Sequence, residues 1–487
     1  MKLPLWSRWL AIFIAWSVVI GLGALIVSQR FPPNGIAQFS FVFEGKSPWF
    51  NPFEPGERVT SPGLQPEGWT GQRIIAEPVY GSARLPGAYD QLDISFETRS
   101  IRQPLAELGL LRDEANFNFE MHPLWSEALS RGWRPVSLGS ARGFVREGFA
   151  DSELLSQDFS KLMVWYATAT EPALSDRPIA EKTYEISLRG SHDFHVVPVD
   201  NSIRFRFVVQ DVNRNKEGKN TAAFRLMHGD ELIWTEAVNL SGIADNRPSA
   251  DVEKTIRIDN LKPGIYRLSF IADDDFFIRE IRTEHPRWVI GPRIFFGDNV
   301  GWKPDIIPAI AWTNSIHAVA ETFHKEGVQD VTLGQTTVRV GKTHTPFVLS
   351  RRGTDRSGFA RLEAPAGTIR FIGDGYFSLD PDINFLPYPR RLTADADPAN
   401  EGITAVLTPY QQPTDLGDGW WRVTTSYSLF DTRELKFVLG LPGMISRAGA
   451  FDIRYASLEY RRPPLSWPAF FETMKREARS AIQRLWP

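Results

Sequence analysis

Ile203-Arg204-Phe205-Arg206-Phe207-Val208-Val209 alternates apolar and basic side chains. That period of two sets one face of a β-strand against a core and the other in water. The same period recurs at Phe39, Phe41 and Phe43, at Leu92, Ile94 and Phe96, and without a break at Leu435, Phe437, Leu439 and Leu441. Further runs predict strands over 73–80, 117–121, 143–149, 161–166, 224–228, 252–259, 265–271, 331–333, 337–340 and 451–460. Short strands between Gly- and Pro-rich turns give a mainly β fold of tandem β-sandwich or jelly-roll domains. Residues 45–71 read as one long loop, and 315–325 stay open between strand and helix. The expected units are sandwiches at 31–170 and 171–298, a β-rich connector at 299–344 and a jelly-roll-like domain at 345–463.

Two stretches depart from this period. LAIFIAWSVVIGLGALIVS, residues 10–28, has no charged side chain; at ~1.5 Å per helical residue it nearly spans a ~30 Å hydrocarbon core. Lys2 and Arg8 precede it and Arg30 follows, so the 1–30 stub-and-anchor reads with its N-terminus inside and the bulk of the chain extracytoplasmic. Trp6 and Trp9 sit at the level of an interfacial aromatic belt. A cleaved signal peptide would have an apolar run of ~7–15 residues and an A-x-A-like site; the longer run here reads as a signal-anchor of a single-pass cell-membrane protein. The second stretch is 464–487. There Trp467, Phe470, Phe471, Met474, Ala478, Ala481, Ile482 and Leu485 share one helical face, with Lys475, Arg476, Arg479 and Arg484 on the remainder and Trp486 at the end. Such a basic amphipathic helix lies in a membrane interface or packs on its own last domain or on a partner.

Composition narrows the functional classes. Cysteine is absent, which excludes disulfides and thiolate zinc sites. A formal net charge of −3 does not supply the basic face that nucleic-acid partners call for. No G-x-S-x-G elbow occurs, and Gly341-Lys342-Thr343 lacks the spacing of a phosphate loop. Structural Ca²⁺ is the one cofactor that the acidic groups suggest. Asp211, Asn213 and Asn215 place oxygens at alternate positions, although an Asn/Gly-rich hairpin explains the same residues. Asp273, Asp274 and Asp275 would repel one another without a cation or a basic neighbour; Asp380, Asp382 and Asn384 form a third acidic group. His192 and His195 would point to opposite faces of a strand and, with no third ligand evident, read as structural or surface histidines. His317, Glu321 and His324 would converge only on a helix.

Trp420 and Trp421 open a strand, so their rings face opposite ways and at most one is core. The segments GDGWWRVTTSYSL, LKFVLGLPGM and FDIRYASLEYRR resemble, by pattern, the jelly rolls of carbohydrate-binding modules. That resemblance implies a glycan as ligand class, with Trp or Tyr rings stacking on sugar faces. The expectation is a non-enzymatic, membrane-anchored protein binding glycan or envelope-protein partners. The alternatives are an envelope glycoside hydrolase or lyase, whose two carboxylates would meet across a cleft, and a scaffold subunit of a membrane assembly.

Overall fold

The computed structural model describes residues 35–464 except 46, 87–88, 213–221, 239–246, 304–308, 352–357 and 430–434, together with 13–14, 16–18, 472 and 475. The described chain is mainly β and forms five sheets. A seven-stranded sheet runs in the order Gly63–Leu64, Thr70–Ile74, Ala450–Arg461, Gln91–Ile101, Trp420–Ser428, Thr414–Gly417, with Ile36–Val42 also paired to Ala450–Arg461. A five-stranded sheet orders Phe50–Glu54, Val79–Ala83, Leu435–Gly440, Leu105–Asp113 and Asn118–Ser126. One apolar core lies between them. Leu92, Ile94, Phe96, Val423 and Ile453 from the first sheet meet Phe50, Leu108, Leu110, Phe437 and Leu439 from the second.

The period-two runs explain why these strands pair as they do. Along Gln91–Ile101 the residues Leu92, Ile94, Phe96 and Thr98 are buried, while the odd positions between them face outward. A slip of one residue would reverse every one of them. Register is therefore held by the pattern, with Glu459 opposite Asp93 on one side and Thr424 opposite Ser95 on the other. The two-residue turn Asp418-Gly419 joins the hairpin Thr414–Gly417 to Trp420–Ser428, with φ of +52° and +76°. Positive φ at both central positions matches the right-handed twist of the flanking strands and favours Asp-Gly.

The middle of the chain forms the other three sheets. A five-stranded sheet carries a separate small core of Trp133, Phe144, Met163, Trp165, Val406 and Tyr410. Sheets of eight and ten strands, drawn from 182–378, face each other across the largest core, which includes Phe205, Phe224, Phe270, Ile294, Leu362 and Phe371. Both run on without a break, through Leu188 opposite Phe296 in one and Ile290 opposite Phe377 in the other.

Sheet pairing corrects the expected boundaries. Strands from 36–126 pair with strands from 414–461, so the first and last units drawn from sequence share one sandwich. The 299–344 connector and the adjoining parts of its neighbours share the two large sheets. The long loop at 45–71 contains the strands Phe50–Glu54 and Gly63–Leu64, because Phe50 and Phe53 are core residues, each 1% exposed. The open segment at 315–325 resolves to the strand His317–Glu321.

Among the described residues no helix is long and apolar enough to cross a membrane. Most of 10–28 lies outside the described residues. Phe13, Ile14, Trp16, Ser17 and Val18 are helical and exposed.

Candidate functional site

The outward face of the seven-stranded sheet carries a groove of ≈370 Å³. Its floor is made of short hydroxyl side chains, Ser95, Thr424 and Ser457, from three adjacent strands, with Ser95 Oγ 2.8 Å from Thr424 Oγ1. Longer side chains stand around that floor. Glu97 and Arg422 close one end, Asp93, Glu459 and Arg461 the other, with Gln38, Gln411 and Tyr455 also lining it. The concavity follows from side-chain length, since hydroxyls sit at outward positions two residues from charged neighbours on the same strands. A β-bulge at Ile453 to Tyr455 shifts the register and leaves both Arg454 and Tyr455 half-buried. Bulges commonly re-aim side chains in this way beside functional sites.

The charges are paired. Glu97 accepts from Arg422 Nη2 and from Arg454 Nε, each at 2.8 Å. Burial pushes its carboxyl up, but the two guanidiniums outweigh this and hold it below the usual carboxylate range. Arg461 donates to Glu459 at 2.7 Å and to Asp93 at 3.0 Å, bridging two carboxylates that face each other across adjacent strands. The Glu459 bond raises the Arg461 pKa. Without that cation, like charges at directly opposed positions would push the strands apart.

Beyond the Glu97 end the same face bears a stack of arginines and tryptophans. Trp420 is 5% exposed although it belongs to the outward side. Arg454 lies 4.5 Å and Arg99 5.0 Å from its ring centre, and Trp69 meets it edge-on at 5.3 Å. The fully buried carboxylate of Asp452 receives Arg73 at 2.7 Å and Arg99 at 2.8 Å. Trp421 turns to the other side, half-buried against the sandwich core and 5.3 Å from Trp125. The opposite facing expected from sequence is therefore present, but neither ring is an open platform: cations cover Trp420 and core residues cover Trp421.

The other sequence candidates scatter. Asp211 is buried at the end of Ile203–Asp211, whereas Asn213 and Asn215 lie outside the described residues. Asp273 and Asp274 are exposed and Asp275 is buried; Arg189 reaches the Asp274 carbonyl at 2.8 Å, so a basic group stands beside this acidic turn. Asp380 accepts from Lys182 Nζ at 2.7 Å and from the Tyr184 hydroxyl at 3.0 Å. Among the described residues, no three His, Cys, Asp or Glu side chains are placed to hold a metal ion. His317, Glu321 and His324 take separate partners, Ser350, Arg370 and Arg189. Of the residues expected from sequence to contact a membrane, Lys475 is helical and exposed. Trp6, Trp9, Trp467, Phe470, Phe471, Arg476, Arg479 and Trp486 lie outside the described residues.

Sequence reasoning missed the groove because its members converge from distant segments; Gln38 reaches Ser457 at 3.4 Å across 419 positions. A local signal was present. Asp93-x-Ser95-x-Glu97, Arg422-x-Thr424 and Ser457-x-Glu459-x-Arg461 put a short hydroxyl beside long charged neighbours on a single strand face.

No family model matches the chain and no curated protein matches it in sequence. Among solved structures it is similar to that of infectious bursal disease virus Gt strain at 11% identity and a TM-score of 0.15, over 90% of this chain and 85% of the other. It is also similar to dimeric latent PorU from Porphyromonas gingivalis at 10% identity and a TM-score of 0.16, over 67% and 34% respectively. Likenesses at these TM-scores carry no argument about this chain.

Proposed function

We propose that this is a membrane-anchored, extracytoplasmic protein that binds glycan, without catalysis, through the groove on its jelly-roll-like terminal sandwich. The observation that carries the reading is the groove's chemistry, a hydroxyl floor between two charge-paired ends. Vicinal sugar hydroxyls both donate and accept, so they can bridge a carboxylate and a guanidinium that already face one another. Hydrogen bonds to ionised groups are the stronger kind. The volume falls at the small end of ligand sites. The groove is more polar than most such sites, which favours a hydroxyl-rich ligand over an apolar one.

Hydrolysis is the weaker reading of the same groove. A glycosidase needs one carboxyl kept protonated as general acid, and Glu97 is held in its ionised form by two arginines. Its carboxylate works better as an acceptor for ligand hydroxyls.

The test uses the full chain in nanodiscs, titrated with envelope polysaccharide fractions and a glycan array. Ser457→Trp fills the floor on a solvent-facing side and leaves the core untouched. Binding to at least one glycan, weakened tenfold or more in Ser457→Trp, supports the proposal. Equal binding by the two proteins, or none by either, overturns it.

A further inference from the structure

We propose that a second copy of this chain pairs antiparallel with Ile36–Val42 about a two-fold axis at Phe39, so that the seven-stranded sheets of two copies run on as one. The proposal goes beyond the groove's ligand and does not depend on it.

The ladder shows which backbone groups of this strand are turned away from the sheet. Ile36–Val42 pairs with Ala450–Arg461 in unbroken register, and among the described residues no strand pairs with its other edge. The Arg462 N–H donates to the Gly35 carbonyl at 3.0 Å and the Phe43 N–H to the Arg454 carbonyl at 3.3 Å. Odd-numbered residues therefore bond inward to Ala450–Arg461, and Gln38 and Ser40 carry their N–H and C=O groups outward. Both are exposed. The strand has no charged residue, Pro or Gly to guard that edge, although an open edge is a template for pairing. The other edges are blunted. Glu236 and Lys254 point between the two large sheets and pair across the edges Glu231–Val238 and Val252–Ile258. Pro52, Pro123 and Pro135 interrupt Phe50–Glu54, Asn118–Ser126 and Trp133–Leu138. Thr336–Val340 and Thr414–Gly417 carry Arg339 and Asp415. Phe347–Ser350 has four residues, and Thr336 Oγ1 takes its Ser350 carbonyl at 2.9 Å.

The sequence of the strand selects the occupant, because it complements its own reversal. Pairing about Phe39 lets Gln38 exchange both backbone bonds with the partner's Ser40, and Ser40 with the partner's Gln38. On the outward face Ile36, 42% exposed, then meets the partner's Val42, 44% exposed in the free chain. On the inward face Ala37 meets the partner's Phe41, small against large, and the half-buried Phe39 meets its own copy at the axis. Directly opposed side chains are the unit of sheet stabilisation, and each patch meeting itself is what a two-fold dimer requires. Gln38 also lines the groove, so the pairing sets two grooves on one continuous face.

Because the chain has no cysteine, cross-linking can read the register. Full chains carrying Gln38→Cys under one tag and Ser40→Cys under another are co-expressed, extracted in mild detergent and oxidised with copper phenanthroline. Directly opposed hydrogen-bonded residues have Cα atoms about 5.5 Å apart, within disulfide reach, whereas the diagonal pairs open to either variant alone are ~7–8 Å apart. The expected result is a disulfide dimer bearing both tags, with about tenfold less dimer in either variant alone. Light scattering should give the wild-type full chain the mass of two copies. Ser40→Pro deletes an edge N–H and no bond to Ala450–Arg461, and should give the mass of one copy. A one-copy mass for the wild type overturns the proposal. A two-copy mass that survives Ser40→Pro, or cross-linking no better in the mixture than in either variant alone, overturns it too, since another surface would then join the copies. Should Ser40→Pro fail to fold, the cross-link decides by itself.

Discussion

Lowering the pH from 7 to 5 offers protons to three imidazoles that the central sheets hold neutral. His192 sits between the Gly190 carbonyl, 3.0 Å from Nδ1, and the Phe295 N–H, which donates to Nε2 at 3.0 Å. His285 does the same between the Val197 carbonyl at 2.9 Å and the Arg204 N–H at 2.9 Å. In both rings the Nε2 lone pair is committed to a backbone donor, and protonation would set N–H against N–H. His195 is buried against Tyr376 and Tyr388. Burial lowers all three to about 4. In the unfolded chain each titrates near 6.5, so the unfolded state takes the protons first. The stabilisation is complete above pH 6.5 and is lost as the pH falls towards 4. At pH 5, 1.5 units below 6.5 and at 1.36 kcal/mol per unit, each histidine removes about 2 kcal/mol and the three together about 6. Hydrogen exchange by mass spectrometry, corrected for the intrinsic pH dependence, should show the loss in His192–Val196, Ile203–Asp211 and Phe276–Thr283. Gln91–Ile101, in the terminal sandwich, serves as the internal reference. His285→Gln should shrink the loss by about a third. Equal corrected protection of the central strands at pH 5 and pH 7 would refute the reasoning.

Three further outcomes follow from the terminal sandwich. Asp452→Asn leaves Arg73 and Arg99 without their buried counter-charge and should destabilise this sandwich by about 3 kcal/mol, read as a lower denaturation midpoint with an unchanged slope. Trp420→Ala should lower stability and leave glycan affinity within about twofold of wild type, since the ring is covered by Arg99 and Arg454; a loss of binding with stability intact would restore the platform reading. Gly419→Ala, at φ +76°, should cost about 1–2 kcal/mol through left-handed strain, seen as faster exchange at the Asp418-Gly419 turn.

Much of the local structure was legible along the chain. Alternation at 203–209, 91–97 and 435–441 marks strands because side-chain direction repeats every two residues whatever the strand later pairs with. The Trp420/Trp421 opposition follows from the same geometry and is present. Residues 45–71 misled because Pro and Gly signal turns, while Phe50 and Phe53 become strand residues only once Phe43 and Phe96 are packed against them.

Sequence alone determined the strand-forming period, the absence of thiol chemistry and the charge-free stretch at 10–28, because each is a property of neighbours along the chain. The tertiary structure alone decided that strands near both ends share one sandwich. It also decided that hydroxyls from three strands make one groove floor, and that Arg99 and Arg454 cap the Trp420 ring. The physical reason is that β pairing joins residues hundreds of positions apart through backbone hydrogen bonds, which leave no trace in local composition.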